Sequence, residues 1–396
     1  MKFVHVGDTH LGKTEARILE REKDFYSSFK QVIDKSISEN VDFVIHSGDL
    51  FDVARPPTRT LIFVVEQLSR LKEKGIPMFI VPGSHDMGVE DTMLSVFDRM
   101  GLLKNMASNR YYKHDDDKII VNGESYKGCF ICGVAGRRAN IDKIYQQLKV
   151  EDNSAYKIFV FHHIISDISE RFSDIPSSVL PKDFDYYAGG HWHGYFQTKF
   201  GKGDVVYPGS TDYNDLNEIE NDPEKYFCIV EVNDGKTKIE KVPITTRKIV
   251  SLNIDCSNLT PKEITARCIE KIEKTSDSPI LILKLNGRLS NGTKSEINRN
   301  LIFEHTKASG YLFTKTYIGE LENPNSPFIS TKKRSASEIE EEYLLKQNYD
   351  ENTTRVAKQL INILGKKLTP TEFEKRKNIA IEIIRGFLLE DKKPCA

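Results

Sequence analysis

Side chains that can bind a metal, mostly carboxylates and imidazoles, follow five apolar segments of the sequence that have the length and composition of β-strands. Six of the ten histidines are among them, which a random scatter would not produce. Mixed aspartate and histidine ligands suit manganese, iron or zinc, whereas magnesium and calcium prefer oxygen alone. The pattern therefore predicts a centre for two metal ions, which together can clamp a phosphoryl group. The residues concerned are Asp8 and His10, Asp49 and Asp52, Ser84, His85 and Asp86, His162 and His163, and His191 and His193.

Taken one at a time, these residues have ordinary structural interpretations. Asp49 could cap a helix or a turn, and His162 could be a hydrogen-bonded histidine of the core. His191 and His193 could form a hydrogen-bonded pair along one face of a strand. A metal centre explains all five positions at once, whereas the alternative needs a separate explanation at each, so the metal interpretation is favoured.

The segments between these residues predict the elements that position them. From residue 1 to about 165, apolar strands alternate with helical stretches near 19–38, 58–74, 91–103 and 140–149. This alternation predicts an α/β fold whose strands end at a common edge, where such sheets bind ligands. From about 185 to 245, short strands separated by turns predict a second, mostly antiparallel sheet.

A change of pattern near residue 246 predicts further domains. Residues 246–300 carry ten lysines and arginines against six aspartates and glutamates, so this region is locally basic. A segment rich in proline, serine and asparagine follows and is interpreted as a linker, and the last sixty residues predict helices with apolar faces. The predicted boundaries are 1–245, 246–322, 323–336 and 337–396.

Composition narrows the class of protein. The chain has 396 residues and a net charge of −1, so any binding of nucleic acid would depend on local patches or bound cations. The sequence contains no apolar run of ~18 residues and no signal peptide, which predicts a cytoplasmic protein without a membrane segment. Cys129 and Cys132 lie in a predicted strand that places them on opposite faces, so we expect buried thiols rather than a zinc site.

The order of the motifs resembles the calcineurin-like metallophosphoesterases, whose pattern is D-x-H, G-D, G-N-H-D, H and G-H-x-H. The opening FVHVGDTHLG, the GDLFD and RPP segments and the later YPGS are similar to one branch, the archaeal-like DNA double-strand-break repair nucleases of the meiotic-recombination-eleven and SbcD type. The resemblance covers residues 1–325. It implies a sandwich of two mixed β-sheets flanked by helices, a small α/β capping domain and a C-terminal helical segment. The matching motifs are Asp8-x-His10, Gly48-Asp49, Gly83-Ser84-His85-Asp86, His162 and Gly190-His191-x-His193.

The same resemblance implies a manganese-dependent exonuclease and endonuclease that hydrolyses DNA by a two-metal mechanism, with two Mn²⁺ per subunit. Asp49 would bridge the metals, and His85 would act as a general acid on the leaving oxygen rather than as a ligand. Asp52 would support the ligands or contact substrate, Asp86 would accept hydrogen bonds, and His163 would pack nearby. The implied metal ligands are Asp8, His10, Asp49, Ser84, His162, His191 and His193. By their place inside strands, His5 and His46 are expected to be buried and hydrogen-bonded.

Two positions depart from the family pattern. Ser84 stands where the superfamily has asparagine, and a hydroxyl is a poorer neutral ligand than an amide carbonyl, which implies a weak, water-bridged or absent second metal. Asp52 stands where archaeal and eukaryal relatives usually have histidine. Ser84 therefore keeps open a DNA-binding or tethering scaffold with a weakened centre, and the motifs alone also fit a metallophosphoesterase acting on another phosphate ester.

The resemblance further implies partners. The helices near 60–74 and 91–103 are apolar on more than one side, so they would form a homodimer interface or lie buried between layers. The helices of 337–396 would bind the coiled-coil base of an ABC-type ATPase, or fold back on the chain. DNA ends would be held through their phosphates, with candidate contacts from Arg55, Arg59, Arg137, Arg138 and the basic residues of 246–300.

Overall fold

A computed structural model shows two compact units, Met1–Lys248 and Ile249–Ala396. Nearly all of the predicted linker 323–336 and much of 337–396 lie outside the described residues. Among the helices that are described, none has an apolar stretch long enough to span a membrane. The structure describes residues 1–14, 18–87, 92–115, 118–136, 141–150, 154, 156–215, 218–221, 223–324, 344, 350–364 and 376–385.

The first unit is built from fifteen strands and five α-helices within its described residues. Its strands are β1 (Lys2–Val6), β2 (Phe43–His46), β3 (Met78–Ile80), β4 (Lys104–Asn105), β5 (Tyr112–Asp115), β6 (Lys118–Val121), β7 (Glu124–Tyr126), β8 (Cys129–Val134), β9 (Leu148–Val150), β10 (Tyr156–Phe161), β11 (Tyr186–Gly189), β12 (Phe196–Phe200), β13 (Gly203–Tyr207), β14 (Lys225–Asn233) and β15 (Lys236–Ile244). Its helices are α1 (Leu19–Ser38), α2 (Thr58–Glu73), α3 (Met93–Arg99), α4 (Ile141–Gln147) and α5 (Glu218–Asn221).

Two mixed six-stranded sheets form this unit, with orders β15-β14-β1-β2-β3-β4 and β12-β13-β11-β10-β8-β7. Strands β1 to β4 are parallel, and β14 joins them antiparallel to β1. In the second sheet β8, β10, β11 and β13 are parallel, and only the edge strands are antiparallel. The small sheet β5-β6-β9 forms a separate hydrogen-bonded ladder.

The predicted second, mostly antiparallel sheet from residues 185–245 is wrong. Strands β14 and β15 belong to the first sheet, where Phe3 pairs with Val230, and β11 runs parallel to its neighbours β10 and β13. The reason is physical: a hairpin such as β14-β15 completes a sheet by adding to an open edge, and β1 offers that edge.

Apolar layers lie on both faces of each sheet. Phe3 and Phe43 stack between the sheets at 5.0 Å, whereas Val4 and Val44 face the cluster that contains residues of α1 and α2. The same alternation separates the two cysteines of β8 into different clusters, and both are buried free thiols, as the sequence predicted. The sheets therefore pack face to face with helices outside, which positions the strand tips of both at one edge.

The second unit is an α/β fold of its own. Its described elements are β16 (Ile249–Asp255), α6 (Pro261–Lys271), β17 (Ile280–Arg288), α7 (Arg299–Ala308), β18 (Phe313–Tyr317), β19 (Leu321–Glu322) and α8 (Glu351–Leu364), with a further helical stretch at 376–385. Strands β16, β17 and β18 are parallel. The helix α6 begins with a capping box, in which the Thr260 hydroxyl accepts from the backbone of Glu263 and the Glu263 carboxylate accepts from that of Thr260.

Candidate metal centre

The predicted ligands lie at the C-terminal tips of strands from both sheets, which cross-sheet hydrogen bonds hold together. The backbone N–H of His191 donates to both carboxylate oxygens of Asp8, at 3.1 and 3.0 Å. The His162 ring donates from Nδ1 to the carbonyl oxygen of Ser47 at 2.8 Å. These bonds run from the second sheet to the first, so the centre exists only where the two sheets meet.

One group of potential ligands consists of Asp8, His10 and His193, whose donor atoms lie within 4.8 Å of one another. The Nε2 atoms of His10 and His193 are 3.3 Å apart, and Nε2 of His193 is 3.8 Å from Oδ1 of Asp8. Two imidazoles and a carboxylate that converge in this way form a donor set that a divalent transition metal accepts.

A second group consists of Asp49, His162 and His191, again within 4.8 Å. Because Nδ1 of His162 donates to a backbone carbonyl, Nε2 is the atom directed at the centre, 3.2 Å from Oδ2 of Asp49. This buried Nε2 makes no hydrogen bond within the described residues. A buried nitrogen of this kind, fixed through its other ring atom, is typical of a metal-binding histidine.

Asp49 connects the two groups. Its Oδ2 atom is 3.8 Å from Nε2 of His10 and 3.2 Å from Nε2 of His162, so one carboxylate oxygen faces both sets of ligands. The hydroxyl of Ser84 donates to this same oxygen at 3.5 Å. The structure thus brings together all seven residues that the resemblance implied as ligands.

Burial controls the electrostatics of these groups. It raises the pKa of Asp8 to about 6 and lowers the pKa values of His10 and His191 to about 4. Burial also acts to lower the pKa of His162, but the carboxylate of Asp49 raises it to about 10. Buried carboxylates therefore draw positive charge towards themselves, and a divalent cation, which displaces ligand protons, supplies that charge. The residues present fit such an ion.

His85 and Asp52 lie beside the first group. Nδ1 of His85 donates to the backbone oxygen of Asp52 at 2.6 Å, and the His85 backbone N–H donates to Oδ1 of Asp49 at 2.7 Å. The His85 ring is exposed and meets the His10 ring edge-on, with 4.8 Å between centroids. The Asp52 carboxylate is 3.5 Å from Nδ1 of His10 and 3.4 Å from Nζ of Lys13. The carboxylate thus lies behind His10, and Nε2 is the His85 ring nitrogen that the bond to Asp52 leaves available.

Asp86 is buried beneath this loop. Its carboxylate accepts from the backbone N–H groups of Gly83, Leu50 and Phe51 at 2.9, 3.2 and 2.9 Å. Burial and the charge of Asp49 raise its pKa to about 7. Asp86 therefore ties the tip of β3 to the segment after β2.

A contact that the sequence did not predict supports His193. Glu218 of α5 accepts from Nδ1 of His193 at 2.6 Å, and Lys225 donates to the other Glu218 oxygen at 2.7 Å. Burial opposes ionisation of Glu218, but the bond with His193 and the charge of Lys225 lower its pKa to about 2. No motif surrounds Glu218, so nothing in the local sequence pointed to it.

Several site residues have unusual backbone conformations. The φ angles of Asp8, His10, Asp49 and His191 are 51°, 41°, 53° and 79°. This left-handed region is uncommon for residues other than glycine, and such strain concentrates at functional sites. The turns that aim these side chains inward are thus made by the ligands themselves.

Two glycines beside the ligands make room for the ligands themselves. A Cβ at Gly83 would lie 2.2 Å from Oδ1 of Asp49, and one at Gly48 would lie 2.4 Å from Nδ1 of His162. The strand tips pack so closely that no side chain fits at these two positions.

The remaining predicted residues lie at the edges of the centre or inside the core. His5 and His46 are buried, as predicted, and bond to Tyr186 and Thr9 at 3.0 and 3.1 Å. His163 is buried with Nδ1 3.1 Å from the hydroxyl of Tyr145. Arg55 is exposed, and Arg59 donates from Nε to Glu22 at 2.8 Å. Arg137 and Arg138 lie outside the described residues.

Comparison with known proteins places these motifs in a family. Residues 1–195 match the model of the calcineurin-like phosphoesterases. The DNA double-strand break repair protein Mre11 of Methanocaldococcus jannaschii is 33% identical over 72% of this chain and 76% of its own length. Proteins of the same name from Methanococcus maripaludis and Sulfolobus acidocaldarius are 29% and 28% identical, over 89% and 91% of this chain and 92% and 95% of their own lengths.

Identity at this level across most of both chains confirms the predicted family, and the two mixed sheets flanked by helices confirm the predicted fold class. The phosphoesterase fold implies a divalent metal, and the grouped carboxylates and imidazoles provide candidate ligands for it. The chain belongs to the family of the DNA double-strand break repair protein Mre11.

Proposed function

We propose that the chain is a manganese-dependent DNA nuclease, an exonuclease and endonuclease that hydrolyses phosphodiester bonds with two metal ions. The observation that carries this proposal is the position of Asp49, whose Oδ2 atom lies between the Asp8–His10–His193 group and the His162–His191 pair. A carboxylate in that position suits two ions that share one ligand.

The chain's own residues would have separate roles in the reaction. Two divalent ions bound there would neutralise phosphate charge and supply a hydroxide nucleophile. The donation from Nδ1 of His85 to the Asp52 carbonyl fixes the ring, so Nε2 is the atom that can give a proton to the leaving oxygen. Asp52 would orient His10 through its charge, 3.5 Å from Nδ1, and Asp86 holds the loop that carries Ser84 and His85.

Digestion of linear duplex DNA tests this proposal. With Mn²⁺ we expect shortening of the DNA, and we expect chelation of the metal to stop it. An aryl phosphate diester gives the comparison. Its turnover without loss of DNA would contradict the nuclease assignment and favour a metallophosphoesterase that acts on another ester.

A second candidate, a DNA-binding or tethering scaffold, is favoured by Ser84. Its Oγ lies 3.5 Å from Oδ2 of Asp49, but a hydroxyl is a poorer neutral ligand than an amide. We expect Ser84→Asn to tighten binding of the second ion by about 10- to 100-fold, the range that changes beside a metal produce. Mn²⁺ titration measures this, with Ser84→Ala as the control. If the natural chain with Mn²⁺ leaves DNA intact and Ser84→Asn degrades it, the scaffold is the better description of this protein.

We also propose four segments with separate tasks: residues 1–245 as the nuclease domain, 246–322 as a capping and DNA-binding domain, 323–336 as a linker and 337–396 as a partner-binding segment. The basic composition of 246–300 supports DNA contact through phosphates. Arg55 is a stronger candidate contact than Arg59, whose guanidinium is already bonded to Glu22. Arg137 and Arg138 remain predictions from sequence.

The partner proposed for 337–396 is the coiled-coil base of an ABC-type ATPase. Apolar side chains in the helical stretch 376–385 support a docking role, because Ile379 and Ile384 are 48% and 42% exposed. We expect a chain lacking 337–396 to keep nuclease activity and to lose the ATPase in co-purification. Retention of the ATPase by the shortened chain would refute this assignment.

A homodimer through α2 and α3 is proposed on similar grounds. Ile62 of α2 is 55% exposed, and Val96 and Met100, in and just after α3, are 44% and 54% exposed. The opposite sides of these helices pack into the core through Val64, Leu68 and Leu94. The helices therefore present a second apolar face, which a symmetric partner would bury.

A further inference from the structure

Behind His193 lies a buried polar cluster, formed by Glu218, Lys225 and Ser210. Glu218 accepts from Nδ1 of His193 at 2.6 Å, and its second oxygen accepts from Lys225 at 2.7 Å and from the Ser210 hydroxyl at 3.3 Å. Lys225 also donates to Oγ of Ser210 at 2.9 Å. The cluster fixes the His193 ring from the side opposite the candidate ligands.

Lys225 also contacts the backbone of His193 directly. Its Nζ atom donates to the backbone oxygen of His193 at 3.4 Å, and Ser210 donates its backbone N–H to that same oxygen at 3.0 Å. The Lys225 side chain is only 1% exposed, and that of Glu218 is 16% exposed. A buried lysine needs a carboxylate partner, so the two charges hold each other in place around His193.

The His193 and His162 rings differ in the group that accepts a hydrogen bond from Nδ1. Nδ1 of His193 donates to a carboxylate, whereas Nδ1 of His162 donates to the neutral carbonyl of Ser47. An anionic acceptor makes the other ring nitrogen a stronger ligand than a neutral acceptor does. At this pair of histidines, the first group is therefore built for tighter binding than the second.

We infer that Glu218 and Lys225 are positioning residues for His193, and that they set the affinity of the Asp8–His10–His193 group for Mn²⁺. The inference rests on the proposed metal centre and names what controls its first ion. It follows that the two ions load in order, the first at the group supported by Glu218 and the second at the group that contains His162.

The test titrates the full chain with Mn²⁺ and follows the electron paramagnetic resonance signal of the free ion. The amount of bound Mn²⁺ is the difference between the Mn²⁺ added and the Mn²⁺ that stays free. Glu218→Gln keeps the shape and an acceptor oxygen but removes the negative charge. We expect it to weaken the tighter ion by about 10- to 100-fold and to leave the weaker ion within about twofold. Activity should recover at saturating Mn²⁺, because the variant changes binding rather than the reaction.

Two further variants separate positioning from general stability. The double variant Glu218→Gln with Lys225→Met removes the buried pair together, so it should recover melting temperature and yet keep the weakened binding. Asp204→Asn is the matched control, because Asp204 is a buried carboxylate that pairs with Lys199 at 2.8 Å. We expect its Mn²⁺ binding to match that of the natural chain.

Unchanged affinity for both ions in Glu218→Gln would overturn the inference, as would an equal loss in Asp204→Asn. Recovery of tight binding in the double variant would show that Glu218 acts only on stability. A natural chain that binds Mn²⁺ in two steps but cleaves no DNA overturns the proposed function and leaves the inference standing. A natural chain that binds no Mn²⁺ overturns both.

Discussion

Replacing His85 by alanine is expected to lower DNA cleavage by about 10²- to 10⁴-fold, the usual contribution of a general acid, while Mn²⁺ binding stays unchanged. The reason is the orientation of the ring. Nδ1 is occupied by the Asp52 carbonyl, and the exposed ring leaves Nε2 for substrate. Cleavage rate and Mn²⁺ stoichiometry should be measured on the same sample.

The position of His85 makes this a demanding test. Its ring centroid is 4.8 Å from that of His10, so a ligand role for His85 would be revealed by loss of an ion. His305→Ala, in the second unit, is the control and should leave both quantities unchanged. If His85→Ala loses bound Mn²⁺, then His85 belongs to the ligand set and another group protonates the leaving oxygen.

Replacing Asp49 by asparagine should weaken both ions and lower cleavage by about 10³-fold or more, since each ion contributes several kcal/mol to the reaction. Asparagine is the substitution that disturbs this position least while it removes the charge. It tolerates the left-handed backbone of this position, where φ is 53°, and it keeps an oxygen that can accept from the His85 backbone. Only the charge and one carboxylate oxygen are lost.

The number of ions whose affinity falls in this variant shows whether Asp49 bridges them. A bridging role predicts that both titration steps weaken together, because Oδ2 faces His10 and His162 alike. Asp204→Asn serves again as the control for loss of a buried carboxylate. If Asp49→Asn keeps one ion at its natural affinity, the carboxylate serves a single ion and the two groups act separately.

Much of the fold could be predicted because its signals are local. The helix predicted at 19–38 is observed at Leu19–Ser38, since Phe25, Phe29 and Val32 repeat at helical spacing and face the core. The grouping of the ligands could be predicted for a related reason. Parallel strands end at one edge, so residues that follow successive strands meet there.

What could not be predicted depends on contacts between distant segments. Whether β14 joins β1 is decided by the pairing of Phe3 with Val230, two residues more than 200 positions apart in the sequence. No local pattern encodes such a pairing. Glu218 was missed for the same reason, since its link to His193 passes through space and not through a motif. The space that Gly48 and Gly83 leave for His162 and Asp49 was missed because the sequence shows where side chains are absent, but not which neighbour needs the space.

Four candidate ligands have left-handed backbone conformations, which lower stability at the positions that activity needs. They are Asp8, His10, Asp49 and His191. Such a conformation costs up to roughly 1–2 kcal/mol per residue, and less for aspartate, so the four together take a sizeable share of the 5–15 kcal/mol by which a domain is usually stable. Glycine at these positions would relieve that cost and would also remove the candidate ligand, so stability gained there would be lost as metal binding. The most thermostable descendants of this chain should be its least active ones, unless bound ions return the lost stability.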